Sequence, residues 1–99
     1  MLNITKEANA NKLTFGLEGR LDTTTAPDFE AKIKESLDGV TELVIDMKSL
    51  EYISSAGLRV LLSAQKIMNK QGTMVVTNAN DDVKEIFDVT GFSDILSIE

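Results

Sequence analysis

The sequence predicts an α/β fold: a four- to five-stranded mixed sheet, mostly parallel with one edge hairpin, and three to four helices packed on it. Two observations support this prediction. Short apolar strand patterns alternate with amphipathic helix patterns along the chain. The first two strand patterns are separated only by a turn, which favours a hairpin. Strands joined through helices form right-handed crossovers, so the later strands should be parallel.

The first two strands are predicted from alternating apolar and polar residues. Residues 2–7 (LNITKE) alternate weakly, and residues 12–19 (KLTFGLEG) alternate clearly, with Leu13 and Phe15 on one face. Between them, residues 8–11 (ANAN) have the composition of a turn. We therefore expect an antiparallel pair that is half-buried.

A first helix should follow and end at Gly39, a residue type that favours helix ends. Phe29, Ile33 and Leu37 recur every four residues and form one apolar stripe. Pro27 suits the first turn of this helix. Three hydroxyl residues could cap it: Thr23, Thr24 and Thr25.

The middle of the chain combines the most apolar strand and the most apolar helix. Residues 42–47 (ELVIDM) contain a continuous apolar run, which is typical of a central strand covered on both faces. Residues 48–57 are interpreted as a loop, and residues 56–69 as a helix that buries Leu58 and Met68. Tyr52 is assigned to the core.

The last third predicts a strand, a helix and a short end segment. Residues 73–77 (TMVVT) are a short apolar strand, and residues 81–91 (DDVKEIFDVTG) are a helix. Asp81 and Asp82 fit a charge pair at the start of that helix. Residues 94–98 are a short strand or an irregular tail.

Composition limits the chemistry available to the chain. With 99 residues we expect one domain, residues 1–99. The chain has no Cys and no His, which excludes thiol catalysis and a Ser-His-Asp hydrolase, and no metal site or cofactor is expected. The net charge of −6 argues against nucleic acid and anionic membranes as partners. With no signal-peptide-like or membrane-spanning run, a cytoplasmic protein is expected.

The candidate site is the segment before the apolar helix, which contains Ser54 and Ser55. In parallel α/β folds, ligands and partners gather where strands pass into helices. One serine could be a helix N-cap. Alternatively, one could accept a phosphoryl group, whose charge the helix start would tolerate. The residues alone leave both interpretations open.

The segment 52–62 (YISSAGLRVLL) contains the two serines and the first half of the apolar helix. It resembles the signature loop and helix of STAS domains, specifically of the bacterial anti-sigma factor antagonists. Other segments follow in the family's order, and the resemblance covers essentially the whole chain: Gly19-Arg20-Leu21-Asp22, Ala26-Pro27, Leu43-Val44-Ile45-Asp46, Lys70-Gln71-Gly72 and the segment 83–91.

The resemblance implies a partner-switching function. Such proteins bind an anti-sigma factor that is also a serine kinase of the GHKL type, and thereby free a sigma factor. Phosphorylation of the loop serine by this kinase ends binding, and a PPM-type phosphatase restores the serine. In the common pattern Asp-Ser-Ser/Thr-Gly the acceptor follows the Asp. Alignment on Gly57 therefore makes Ser55 the expected phosphorylation site.

This sequence departs from the common pattern at two positions. Ala56 removes a competing hydroxyl and so favours Ser55, whereas Ser54 removes a carboxylate that neighbours the acceptor. The resemblance also places Asp22 beside the serine loop, and Asp46 is expected near the same rim in a structural role. The expected partner-binding surface is Asp22, Thr23, Ser54, Ser55, Ala56, Gly57 and Arg59.

Three other interpretations remain open. The chain could be a phosphorylation-independent STAS binding or sensing module, which no cognate kinase would modify. It could be an enzyme of unknown type, although the absence of His, Cys and a glycine-rich phosphate loop argues against this. It could be the cytoplasmic domain of a transporter, which the lack of an apolar span disfavours.

Overall fold

The computed structural model describes residues 2–99. The predicted order of strands and helices is confirmed, and a short 3₁₀ turn at Phe92–Asp94 precedes the last strand. The elements are β1 (Leu2–Asn9), β2 (Lys12–Leu21), α1 (Ala26–Ser36), β3 (Glu42–Ile53), α2 (Ser55–Asn69), β4 (Thr73–Thr77), α3 (Asp81–Thr90) and β5 (Ser97–Ile98).

The strands form one five-stranded sheet in the order β1-β2-β3-β4-β5. β1 and β2 pair antiparallel as the predicted edge hairpin, and the other neighbouring strands pair parallel. The mixed sheet of the predicted fold class is therefore confirmed. β3 lies at its centre, so the connections into α1 and α2 begin at neighbouring strand ends.

The helices pack on one face of the sheet. Leu43 and Ile45 of β3 are fully buried in the same apolar cluster as the buried residues of all three α-helices. Val44, which points to the other face, is only half-buried. The prediction that β3 is covered on both faces was therefore wrong. The apolar run 43–45 suggested double coverage, but Thr14 lies beside Val44 and Asp46 pairs with Thr77, which makes that face partly polar and open.

β3 continues well beyond the predicted strand. The segment 48–53, predicted as part of a loop, pairs with the end of β2, including Leu21 opposite Ile53. At two register shifts, between Asp46 and Ser49 and between Leu50 and Tyr52, β3 has one residue more than β2, so buried residues in this part of β3 no longer alternate strictly. The extension carries the end of β3 directly to the start of α2.

The extended strand also explains the position of Tyr52. Leu58 and Met68 lie in the core as predicted, but the assignment of Tyr52 to the core was wrong. Ile53 takes the core-facing position, and Tyr52, one residue earlier, points to the opposite face and is 37% exposed.

Within residues 2–99, no helix is both long enough and apolar enough to cross a bilayer.

Candidate functional site at the start of helix α2

The site is built where β2 and β3 end side by side. The backbone N–H of Ser54 donates to the carbonyl of Leu21 at 2.9 Å, which joins the two strand ends. Gly57, in the first turn of α2, is buried against this junction. A Cβ at Gly57 would lie 2.8 Å from both Leu21 Cγ and Ile53 Cγ1. Gly57 therefore lets the helix start close to the sheet and is not itself available to a partner.

Ser54 is the N-cap of α2. Its backbone is extended, and its Oγ accepts a hydrogen bond from the N–H of Gly57 at 3.3 Å. The Ser54 carbonyl accepts the first helical bond, from Leu58, at 2.9 Å. Its side chain thus satisfies a donor that the helix itself leaves free. The capping interpretation, left open by the sequence, belongs to Ser54.

Ser55 is the first residue of α2 and is exposed. The helix begins one residue earlier than the sequence predicted. The first turn of α2 contains no acidic residue, so the positive end of the helix is not neutralised by its own side chains. Ala56, the next residue, is half-buried. The two neighbouring serines therefore differ: the hydroxyl of Ser54 is used in the cap, and that of Ser55 faces solvent.

Asp22 organises the turn that leads into α1. Its Oδ1 accepts hydrogen bonds from Thr24 Oγ1 at 2.7 Å, Thr24 N at 3.0 Å and Thr25 N at 3.1 Å. The hydroxyl bond from Thr24 is the largest cause that lowers the pKa of Asp22, and backbone bonds from Thr25 and Thr24 add to it. Asp22 is therefore a structural residue of the turn, and its exposed neighbour Thr23 is presented to solvent.

The capping of α1 differs from the predicted threonine cap. Thr25 occupies the N-cap position, but its side chain makes no capping bond. Instead its Oγ1 accepts from the N–H of Asp22 at 2.9 Å and donates to the carbonyl of Arg20 at 2.9 Å. The carboxylate of Asp22 binds the turn's free N–H groups in its place. Pro27 lies in the first turn, as predicted.

A shallow groove of about 310 Å³ runs between the starts of α1 and α2. It brings together three of the predicted partner-binding residues, Thr23, Ala56 and Arg59. Glu30 on α1 contributes a negative charge to the same groove that holds the positive Arg59. Its other lining residues are small or apolar: Ala26, Pro27 and Val60. The groove therefore combines small or apolar side chains with two side chains of opposite charge.

Sequence reasoning missed an exposed pair near the groove. The guanidinium of Arg20 stacks over the ring of Tyr52, 4.5 Å from its centroid. Arg20 Nε also lies 3.9 Å from Asp22 Oδ2. Arg20 and Tyr52 face each other in the β2–β3 register, each one residue before a buried partner. That alternation with Leu21 and Ile53 is the signal that could have placed them on the surface.

Asp46 does not belong to this site. Its expected position near the rim was wrong, because β3 runs seven residues further, to Ile53. Its Oδ1 accepts from the N–H of Lys48 at 2.9 Å and from Asn78 Nδ2 at 3.1 Å. The expected structural role of Asp46 is therefore confirmed, at a different place on the sheet.

Comparisons with known proteins place the chain among similar sequences and folds. The model of the STAS domain family matches residues 3–99. An anti-sigma-B factor antagonist of Listeria monocytogenes is 32% identical over 101 residues, which cover 95% of this chain and 84% of that protein.

Solved structures agree in fold. The crystal structure of an anti-sigma factor antagonist from Mycobacterium paratuberculosis has a TM-score of 0.89 at 22% identity, and covers 99% of this chain and 85% of that one. The Bacillus cell fate determinant SpoIIAA, in its phosphorylated form, has a TM-score of 0.77 at 18% identity and covers 98% and 91%. At these identities the structures support the fold alone.

Proposed function

Since this chain belongs to the STAS domain family, we propose that it is an anti-sigma factor antagonist that phosphorylation of Ser55 switches off. In its unmodified form it binds an anti-sigma serine kinase of the GHKL type. The observation that carries the proposal is that two neighbouring serine hydroxyls have different environments. Ser54 caps α2, and Ser55 stands exposed at the first helical position, next to the groove that holds Arg59.

The modification is a phosphoryl transfer from ATP held by the kinase. The Oγ–P bond to Ser55 forms as the bond between the γ-phosphorus and the bridging oxygen breaks, and ADP leaves. The hydroxyl proton passes to a base on the kinase. A PPM-type phosphatase hydrolyses the ester and returns the free serine. This chain contributes the acceptor oxygen and contributes no catalytic group.

The fold can accept this charge, whereas an interface cannot. A phosphoserine carries about −1.5 to −2 charges at neutral pH. At the start of α2 it meets free backbone N–H groups and the positive end of the helix, and the first turn has no carboxylate to repel it. In a closed interface the same dianion must lose its water, at a cost of several kcal/mol. About 1.4 kcal/mol corresponds to a tenfold change in affinity, so two or three kcal/mol suffice for a switch.

Two comparisons support the proposal. The Listeria relative is named as an anti-sigma-B factor antagonist, and it matches nearly the whole of this chain. A protein of the same fold, SpoIIAA, exists in a phosphorylated form. The choice of Ser55 as the modified residue comes from alignment of Gly57 with the family pattern, and the exposure and helix position of Ser55 in this chain support it.

The proposal is tested by incubating the protein with ATP and each candidate anti-sigma kinase of its source organism, followed by mass spectrometry. We expect one phosphate, on Ser55. Ser54→Ala should still accept it, because only the cap is lost, whereas Ser55→Ala should accept none. Phosphate on Ser54 would overturn the assignment. Tight binding to an anti-sigma factor without any phosphorylation would instead favour a binding module that phosphorylation does not control.

A further inference from the structure

Arg59 lies one helical turn after Ser55, and both residues are exposed. Residues four apart on a helix have Cβ atoms about 5–6 Å apart, and an acidic group that precedes a basic one by four residues is the favourable order. A phosphate on Ser55 would extend further than a carboxylate, and the planar guanidinium can bind two of its oxygens. The two side chains are therefore within reach of each other without any change in the backbone.

Arg59 is also free to make this contact. Within residues 2–99, the cation–carboxylate pairs closer than 4 Å are Lys12–Glu42 and Arg20–Asp22. Glu30 lines the same groove as Arg59 but lies outside that distance. A phosphate dianion at Ser55 would attract the guanidinium more strongly than the single charge of Glu30 does.

We propose that phosphorylated Ser55 forms an ion pair with Arg59 inside the chain, so that Arg59 leaves the groove when the protein is modified. This inference rests on the proposed function, because it concerns the regulation of the same site. Phosphorylation then changes the surface twice. It adds a dianion at the start of α2, and it removes the positive charge that faces Glu30 across the groove. Both changes alter what a partner meets.

The test uses protein with phosphoserine inserted at position 55 during translation, so no kinase is needed. A ³¹P NMR titration reports the second pKa of the phosphate. The ion pair lowers this pKa, and we expect Arg59→Gln to raise it by about 0.3 units or more, with Arg59→Lys giving a smaller change.

Lys66→Gln is the matched control. Lys66 is an exposed cation on the same helix. It lies about 16 Å from Ser55 along the helix axis, which exceeds the screening length at physiological salt. We expect it to shift the phosphate pKa by about 0.1 units or less. Equal shifts in Arg59→Gln and Lys66→Gln, or no shift in either, would overturn the ion pair.

A second measurement needs no substitution. In the otherwise unchanged protein, insertion of the phosphoserine should move the Arg59 Nε–Hε resonance and slow its hydrogen exchange; an unchanged signal would contradict the pair. The outcomes also separate the two proposals. If no kinase modifies Ser55 but the pKa depends on Arg59, the proposed function fails and the ion pair stands. If the kinase modifies Ser55 but the phosphate pKa does not depend on Arg59, the ion pair fails and the proposed function stands.

Discussion

The starts of helices α2 and α3 are built alike but charged differently. Ser54 caps α2 through the N–H of Gly57, and Asn80 caps α3 through the N–H of Val83 at 2.8 Å. α3 then places Asp81 and Asp82 in its first turn, whereas α2 has no acidic residue there. The chain's own carboxylates neutralise the start of α3, whereas the start of α2 could still accept a negative charge.

The third position of each helix differs as well. In α3 it is Val83, a fully buried residue whose side chain fills the core. In α2 it is Gly57, where even a Cβ would meet Leu21 and Ile53 at 2.8 Å. The start of α2 therefore has no room for a side chain at this position, whereas the start of α3 accommodates one. The comparison teaches that packing fixes the start of α2 tightly, while its first turn stays free of negative charge.

The largest effect expected is that of Gly57→Ala. The added methyl must displace two core side chains, so we expect the free energy of unfolding to fall by about 1–3 kcal/mol. Urea denaturation measures this change. Ser55→Ala, two residues earlier and exposed, is the control and should stay within about 0.5 kcal/mol of the unmodified protein. A Gly57→Ala variant as stable as the unmodified protein would refute the close approach of α2 to the sheet.

Removal of the two caps should have unequal effects. Asn80→Ala removes the α3 cap and also the bond from Asn80 Nδ2 to the carbonyl of Leu50, at 3.0 Å. Ser54→Ala removes only the longer bond to Gly57. We expect losses of about 2 and about 1 kcal/mol, again by urea denaturation. Equal losses would show that the second bond of Asn80 contributes nothing to stability.

Exchange of charge at the first helical position should act in opposite directions. Ser55→Asp gives α2 the charge that α3 already has, and we expect it to stabilise the fold by about 0.3–1 kcal/mol at low salt. Asp81→Ser should destabilise the fold by a similar amount. Thermal unfolding at low and at high salt measures the change in stability of each variant. If Ser55→Asp destabilised the fold, the open end of α2 could not carry a phosphate as proposed.

The smallest effect concerns pH, since a carboxylate organises the turn before α1, whereas the side chains that cap α2 and α3 are uncharged. Bonds from Thr24 and Thr25 hold the pKa of Asp22 below its ordinary value when the chain is folded. Asp22 therefore adds stability above its unfolded pKa of about 4, and that stability is lost as pH falls through the lower folded pKa. The stability difference between the unmodified protein and Asp22→Asn should shrink between pH 6 and pH 2. A difference that stays constant would contradict this role.

The sequence patterns predicted most of the fold but misplaced the end of the central strand. Alternation and four-residue spacing are local signals, so they located the hairpin and the helices, although the turn is only Ala10-Asn11 and α1 ends at Ser36 rather than at Gly39. The stretch from Met47 to Ile53 buries residues three apart, at Met47, Leu50 and Ile53, and so lost the signal of a strand. Its pairing with β2, in which β3 has one extra residue at each of two register shifts, holds it extended. Such non-local pairing cannot be deduced from local periodicity.

The candidate site was predicted as a set of residues but not as a set of roles. Two adjacent serines before an apolar helix are equivalent by residue type, and only the backbone shows that Ser54 caps and Ser55 is exposed. Likewise, Asp22 and the threonines both suit a helix start. The hydrogen bonds show that Asp22 binds N–H groups of the turn before α1, and that Thr25, at the N-cap position, donates its hydroxyl to the carbonyl of Arg20.

The most direct test of the account is the affinity of the anti-sigma kinase for three forms of the protein, measured by calorimetry. These are the unmodified protein, the protein phosphorylated on Ser55, and the Ser55→Ala variant. We expect Ser55→Ala to bind like the unmodified protein, and the phosphorylated form to bind about 100-fold more weakly or worse. Ser55→Asp should fall between them. Equal affinity of the phosphorylated and unmodified forms would contradict the claim that charge at Ser55 ends binding.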